Sequence, residues 1–125
     1  VSDYTPVSPH GSKVKRGGGE WSIALKPTRD IAGEMGKLKK KNQVMVGFAL
    51  ETENEIENAR KKLEKKNLDL IVLNSMRDQG AGFGTDTNRV TMIDRKGAVD
   101  AFDLKPKAQV AADLVQRVVK LLKDA

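Results

Sequence analysis

The stretch from Val46 to Asn74 constrains the fold of this 125-residue chain more than any other. Val46-Gly47-Phe48-Ala49-Leu50-Glu51-Thr52 is an apolar run closing on Thr-x-x-Glu, in which Thr52 is placed to cap a helix and Glu55 to complete the box. Glu53, Glu55 and Glu57 then crowd the positive end of that helix, and Arg60 to Lys66 its negative end. Ile56, Ala59 and Leu63, spaced by three and four, give it one apolar stripe. A second strand, Leu68 to Asn74, follows Asn67, and strand-helix-strand of this length predicts a right-handed parallel crossover. Gln43 to Leu50 is nearly continuously apolar, which predicts a strand covered on both faces.

The rest of the chain is consistent with a single domain over residues 1–125. That length buries roughly two-thirds of the surface its unfolded chain would expose. Residues 8–20, rich in Pro, Ser, Gly and basic groups, predict a flexible loop. Trp21 to Leu25 alternates as a short strand, Lys26-Pro27-Thr28-Arg29-Asp30 breaks it, and a helix weakened by Gly33 and Gly36 runs from Ile31 to Lys40. Gly80 to Asp86 is a glycine-rich loop. Arg89 to Ile93 and Ala98 to Phe102 flank Asp94-Arg95-Lys96-Gly97 as a hairpin, and Val110, Leu114, Val115, Val118, Val119 and Leu122 mark a closing amphipathic helix. The fold class expected is α/β, a Rossmann-like, mostly parallel sheet with flanking helices and a β-hairpin.

Cysteine is absent and His10 is the only histidine, which excludes a disulfide framework, a thiolate nucleophile and a Cys- or His-cluster metal site. No run approaches the roughly 18 apolar residues of a membrane-spanning helix, so a soluble, cytoplasmic protein is expected. A net charge of +6 favours anionic ligands without choosing among nucleic acid, acidic lipid and nucleotide phosphate.

Each candidate site residue has a chemical and a plainer reading. Lys13, Lys15 and Arg16 sit on a glycine-rich loop that can fold over a polyphosphate, or they form a solvated basic loop. Lys62 and Lys66, four apart on one helix face, can clamp one anion, or they simply complement the helix dipole. Asp3 and Asp30 can hold a ribose hydroxyl or a magnesium-bound phosphate, or cap turns. Phe48 can stack on a base, or pack in the core. Lys37, Lys39, Lys40 and Lys41 read as a solvated face, and Gly80 to Gly84 departs from the dinucleotide pattern Gly-x-Gly-x-x-Gly.

Read in order, Val-Ser-Asp-Tyr, the Lys-x-Lys-Arg loop, Lys-Pro-Thr-Arg-Asp-Ile, Val-Gly-Phe-Ala-Leu-Glu-Thr, Lys-Asn-Leu-Asp-Leu-Ile-Val and Gly-Phe-Gly-Thr-Asp-x-Asn resemble the synthetase half of bacterial phosphopantothenoylcysteine synthetase/decarboxylase. The resemblance covers almost the whole chain. It implies a ligase of coenzyme A biosynthesis: CTP activates 4'-phosphopantothenate as an acyl-cytidylate with release of pyrophosphate, and the L-cysteine amine then displaces CMP. Matched by motif, it implies that Lys13 stabilises charge on the reacting phosphates. It implies CTP contacts for Asp3, Lys13, Arg29, Asp30, Ile31, Ala32, Phe48, Lys62 and Lys66, with Mg2+ accompanying the nucleotide.

FMN is implied only for the decarboxylase domain often fused upstream, outside this chain. Lys62 and Lys66 lie at the C-terminal end of their helix, whereas α/β crevices lie at strand C-termini; a site completed by another subunit would explain this, so a homodimer or higher oligomer is expected, with Arg89 to Phe102 as the candidate dimer element. The resemblance implies a three-layer α/β/α full domain of which this chain is the C-terminal portion. Two positions depart from the family pattern: Arg29 stands for a common proline and Arg16 for a lysine. The family's glycine-rich first turn and its Asn-x-Ser-Ser-Gly-Lys segment, with a catalytic asparagine, lie outside these residues, so the chain alone is expected to be inactive. The rival class is a basic nucleic-acid-binding or structural domain. Few aromatics support it: Trp21, Tyr4 and three phenylalanines do not interleave with the basic residues as a stacking platform requires.

Overall fold

A computed structural model of the chain describes residues 2–75 and 84–124. It comprises two compact units, Val1–Asp30 and Ile31–Ala125.

The first unit is built on a two-stranded antiparallel ribbon, β1 (Tyr4–Pro6) and β2 (Leu25–Pro27). The expected strand at Trp21 to Leu25 is therefore shifted: only Leu25 of it is in the ribbon, and Pro27 lies inside β2, opposite Tyr4, where it did not break the strand. A ribbon of two strands leaves outward-facing edges at which proline's missing N–H costs nothing. The Val7 N–H donates to the Ala24 carbonyl at 3.0 Å, and beyond that pair residues 8–20 form no helix or strand.

The second unit carries the core. In chain order it contains α1 (Ile31–Leu38), β3 (Val46–Glu51), α2 (Glu55–Lys65), β4 (Leu70–Ser75), β5 (Thr87–Asn88), β6 (Val90–Asp94), β7 (Val99–Ala101), β8 (Lys105–Pro106) and α3 (Lys107–Lys123). The main sheet has the order β3-β4-β6-β7. β3 and β4 pair in parallel from Val46↔Leu70 to Glu51↔Ser75, the crossover expected from sequence, whereas β4–β6 and β6–β7 are antiparallel. The β6–β7 pair is the expected hairpin. β5 and β8 form a separate two-stranded ribbon.

Side chains alternate across this sheet into two apolar layers. On the α2 side Ala49, Ile71, Leu73 and Ile93 pack with Ala59, Leu63 and Leu68. On the α3 side Leu70, Val72, Val90 and Met92 pack with Val110, with Leu114, Leu121 and Phe102 against them. β4 is the strand covered on both faces, and its run Leu-Ile-Val-Leu is buried throughout. β3, expected to be equally covered, is not: Phe48 is 67% and Leu50 41% exposed. Among the described residues β3 pairs with β4 alone, so it is a sheet edge, and α3 packs over β4 and β6. Half of the predicted α3 stripe, including Val115 and Val119, is exposed for the same reason.

The turn after α2 ties this unit together. Asn67 adopts the left-handed conformation (φ 53°), its side-chain amide donates to the Gly36 carbonyl at 2.7 Å, and Arg95 donates to its side-chain oxygen. Lys39, expected on a solvated face, has a side chain only 10% exposed, and its ammonium donates to both Asp69 oxygens at 2.9 Å and to the Asn67 carbonyl at 2.6 Å. Asp69 Oδ2 also accepts the Met45 N–H at 2.7 Å. A carboxylate and an ammonium can share this interior only because each finds its partner and further hydrogen bonds. Gly36 lets α1 approach the turn, since a Cβ there would stand 1.9 Å from the Lys66 carbonyl oxygen. Gly36→Ala is therefore expected to destabilise this unit by about 2 kcal/mol or more, the scale of an overpacked core, despite alanine's better helix propensity. A thermal melt unchanged or raised by the substitution would contradict that packing.

Candidate functional site

The predicted site residues fall in both units. In the first, Asp3 precedes β1 and Arg29 and Asp30 follow β2, and the ribbon register brings them to one end. The Thr28 N–H donates to the Asp3 carbonyl at 2.9 Å and the Thr28 hydroxyl to the Ser2 carbonyl at 2.7 Å. Asp3, Arg29 and Asp30 are exposed. Lys13 is also exposed, but it lies in the long loop leaving the other end of the ribbon. The ribbon thus gathers three of its four predicted residues.

In the second unit Ile31 and Ala32 open α1, where the first N–H groups of a helix have no intrahelical partner. Ile31 is 62% exposed. Phe48 projects from β3 on the α3 side of the sheet and is not packed into the core of this chain. Lys62 and Lys66 stand one turn apart, and the Lys66 N–H donates to the Lys62 carbonyl at 3.0 Å as α2 ends.

Lys62 resolves a geometric difficulty. Ligand crevices of α/β sheets lie at the carboxyl ends of the strands, yet Lys62 is in the carboxyl-terminal half of α2, which starts at that end and runs away from it. Helical side chains lean toward the amino terminus, and the Lys62 stem does so: its ammonium lies 2.5 Å from the carboxylate of Glu51, the last residue of β3. This is a charge-to-charge contact whose angle falls outside hydrogen-bond geometry. Glu51 shares the α2 side of the strand with Gly47 and Ala49, and Phe48 takes the other side. An aromatic ring and a cation therefore flank the free edge of one strand.

The expected capping box does not form. α2 begins at Glu55, its N-cap is Asn54 in the left-handed conformation (φ 44°), and no side chain caps it. Glu55 instead accepts a hydrogen bond from the Ser75 hydroxyl at 2.7 Å, tying the start of α2 to the end of β4. Thr52→Ala should consequently change stability by less than about 0.5 kcal/mol, as at an uninvolved surface position, where loss of a true N-cap costs about 1 kcal/mol. A urea-unfolding comparison that found the larger loss would restore the box.

Glu51, Glu55, Ser75 and Arg89 were not singled out from sequence. Glu55, Ser75 and Arg89 line a cavity of about 300 Å³ with Leu73, Thr91 and Phe102. Only the Thr-x-x-Glu spacing had drawn attention to Glu55, and for a different reason. The glycine-rich loop at Gly80 to Asp86 lies mostly outside the described residues; of its glycines Gly84 is described, with φ 78°. Among the described residues no group of three or more His, Asp or Glu side chains could hold a metal ion. No helix among them is long and apolar enough to cross a membrane.

A central sheet flanked by helices, with a βαβ crossover and polar groups at its strand ends, places the chain in the Rossmann-like α/β class. More narrowly, the chain belongs to the family of the DNA/pantothenate metabolism flavoprotein C-terminal domain, whose model matches residues 1–122. It is 43% identical over 123 residues to the Coenzyme A biosynthesis bifunctional protein CoaBC of Bacillus subtilis, covering 98% of this chain and 30% of that protein. It is 57% identical over 122 residues to a Cysteine/Cysteine sulfinic acid decarboxylase from an unknown prokaryotic organism, covering 98% of this chain and 34% of that protein. Of the solved structures, the C-terminal domain of a Coenzyme A biosynthesis bifunctional protein CoaBC superposes with a TM-score of 0.77 at 34% identity, covering 100% of this chain and 52% of that one. The chain thus spans about a third of the length of these curated relatives.

Proposed function

We propose that the chain is the nucleotide-facing portion of a CTP-dependent phosphopantothenate–cysteine ligase in coenzyme A biosynthesis. The observation that carries this reading is the edge of β3, with exposed Phe48 on one face and the Lys62 ammonium held at Glu51 on the other, in a chain similar to two CoaBC proteins over nearly its whole length. Phe48 offers a face for the cytosine ring. Lys62 and Lys66 balance the triphosphate, and Lys13 meets the charge that grows on the α-phosphate as the pantothenate carboxylate attacks and pyrophosphate leaves. Catalysis of this kind is mainly charge stabilisation and positioning, work suited to preorganised cations. The cysteine amine then displaces CMP, forming the amide.

A magnesium ion fits as a companion of the phosphates: such ions need one or two carboxylates, and Asp3 and Asp30 at one ribbon end supply that number. FMN enters this proposal only where a decarboxylase domain is fused upstream, outside these residues. A cytoplasmic location and a homodimer joined through the β6–β7 hairpin complete the proposal. A basic nucleic-acid-binding role is the weaker reading, since Trp21, Tyr4 and the three phenylalanines do not interleave with the basic residues as a stacking platform requires. Calorimetric titration of the full-length protein with CTP and then ATP, both with magnesium, tests the nucleotide assignment. Saturable binding that favours CTP is expected; equal binding of both, or steeply salt-dependent binding of RNA in their place, would count against it.

A second reading follows from the 57% identical relative, named as acting in decarboxylation of cysteine or cysteine sulfinic acid. In that case the chain serves a decarboxylase as its C-terminal domain. Release of CO2 from cysteine by the full-length protein, without any turnover of CTP, would favour it.

A further inference from the structure

We infer that Glu51 is a positioning residue that holds the Lys62 ammonium at the nucleotide edge of β3. The inference rests on the proposed nucleotide role of Lys62 and adds to it the group that sets the lysine's place.

Glu51 closes β3 on the side that faces α2, in register with Ser75 of β4. Its side chain is 12% exposed and so has little freedom, whereas Lys62 is 44% exposed. Lys62 lies seven residues into α2 from Glu55, about 10 Å along the axis from the strand's carboxyl end at helical rise. Without an anchor its four-carbon stem would sample rotamers over that length. With the ammonium 2.5 Å from Glu51, the charge is carried back to the crevice before any ligand arrives. The contact is one of charge, so the ammonium N–H donors remain for phosphate oxygens. A triphosphate then meets an ordered cation and does not have to immobilise a mobile one, which is how preorganisation raises affinity.

The sign of one substitution separates this from simple charge neutralisation. If Glu51 only offset the lysine, removing its charge would strengthen attraction for the triphosphate and lower KM. If Glu51 positions the lysine, removing it raises KM. In the full-length protein, Glu51→Gln is expected to raise KM for CTP three- to tenfold with kcat within twofold, and Glu51→Asp, which keeps the charge on a shorter stem, to give an intermediate rise. In a Lys62→Met background, Glu51→Gln is expected to add less than 1.5-fold. A KM for CTP that falls or stays unchanged in Glu51→Gln, or the same rise with and without Lys62, would overturn the inference. Should Glu51→Gln fail to fold, the KM of Glu51→Asp decides by the same criteria. Lys62→Met alone separates the two levels: an unchanged KM for CTP removes Lys62 from the nucleotide site, whereas a raised KM beside a neutral Glu51→Gln removes only Glu51.

Discussion

Asp69→Ala is expected to destabilise the chain by about 3 kcal/mol, the low end of the cost of breaking a buried ion pair, since this pair is only partly buried. The substitution leaves the Lys39 ammonium, 10% exposed, without its carboxylate and the Met45 N–H without its acceptor. Asp69 is itself 21% exposed, which keeps the expectation at the lower end of the range for such pairs. Its position explains the reach of the effect. Asp69 stands between α2 and β4, Lys39 follows α1, and Met45 precedes β3, so one carboxylate joins the starts of the two parallel strands to the end of α1. By contrast, Lys61 and Glu57, an i,i+4 pair with side chains 70% and 67% exposed, can be separated with little consequence. Urea unfolding of the two variants side by side checks the contrast. A loss below about 1 kcal/mol for Asp69→Ala would mean that Lys39 is solvated in the folded state, since exposed pairs contribute on that scale.

Lys13→Ala is expected to have the largest effect on chemistry, lowering kcat/KM for CTP by about 100-fold in the full-length protein. Removing one preorganised donor from developing charge typically costs a factor of that order in rate. Lys13 is exposed on a loop without helix or strand, so its truncation should leave the melting temperature where it was. The partition between parameters is informative: a lysine that acts on the transition state lowers kcat, whereas one that only attracts the triphosphate raises KM. Kinetics within twofold of the unsubstituted enzyme would take Lys13 out of the reaction.

What could be read from the residues divides along the range of the interactions that produce each element. β3, α2 and β4 were legible because apolar periodicity and end charges are local signals, and the crossover follows from chain chirality once they are in place. The β6–β7 hairpin was legible from Asp94-Arg95-Lys96-Gly97, and Gly97 does take the positive φ, 93°, that such a turn demands. The exposure of Phe48 was not legible, because an edge strand and a central strand share the same apolar run and differ only in which neighbours they have. Lys39 was misread for a similar reason: its partner Asp69 lies 30 residues away, and a run of lysines gives no hint of which one turns inward. The capping box failed where two roles competed for one side chain, and Glu55 serves Ser75.

The candidate site shows the same division. Each of its residues was named from motif order, and the ribbon register explains why Ser-Asp at the start and Thr-Arg-Asp before α1 belong together. Glu51 had been noted only as part of an apolar strand's motif. Its pairing with Lys62 depends on how a helix leans over a strand end, which no spacing rule expresses.

The most direct test of the ligase assignment is to incubate the full-length protein with 4'-phosphopantothenate, L-cysteine, CTP and magnesium and to follow nucleotide and acyl products together. Equal amounts of CMP, pyrophosphate and the phosphopantothenate–cysteine amide are the expected result. Carbon dioxide released from cysteine while CTP stays intact would contradict it.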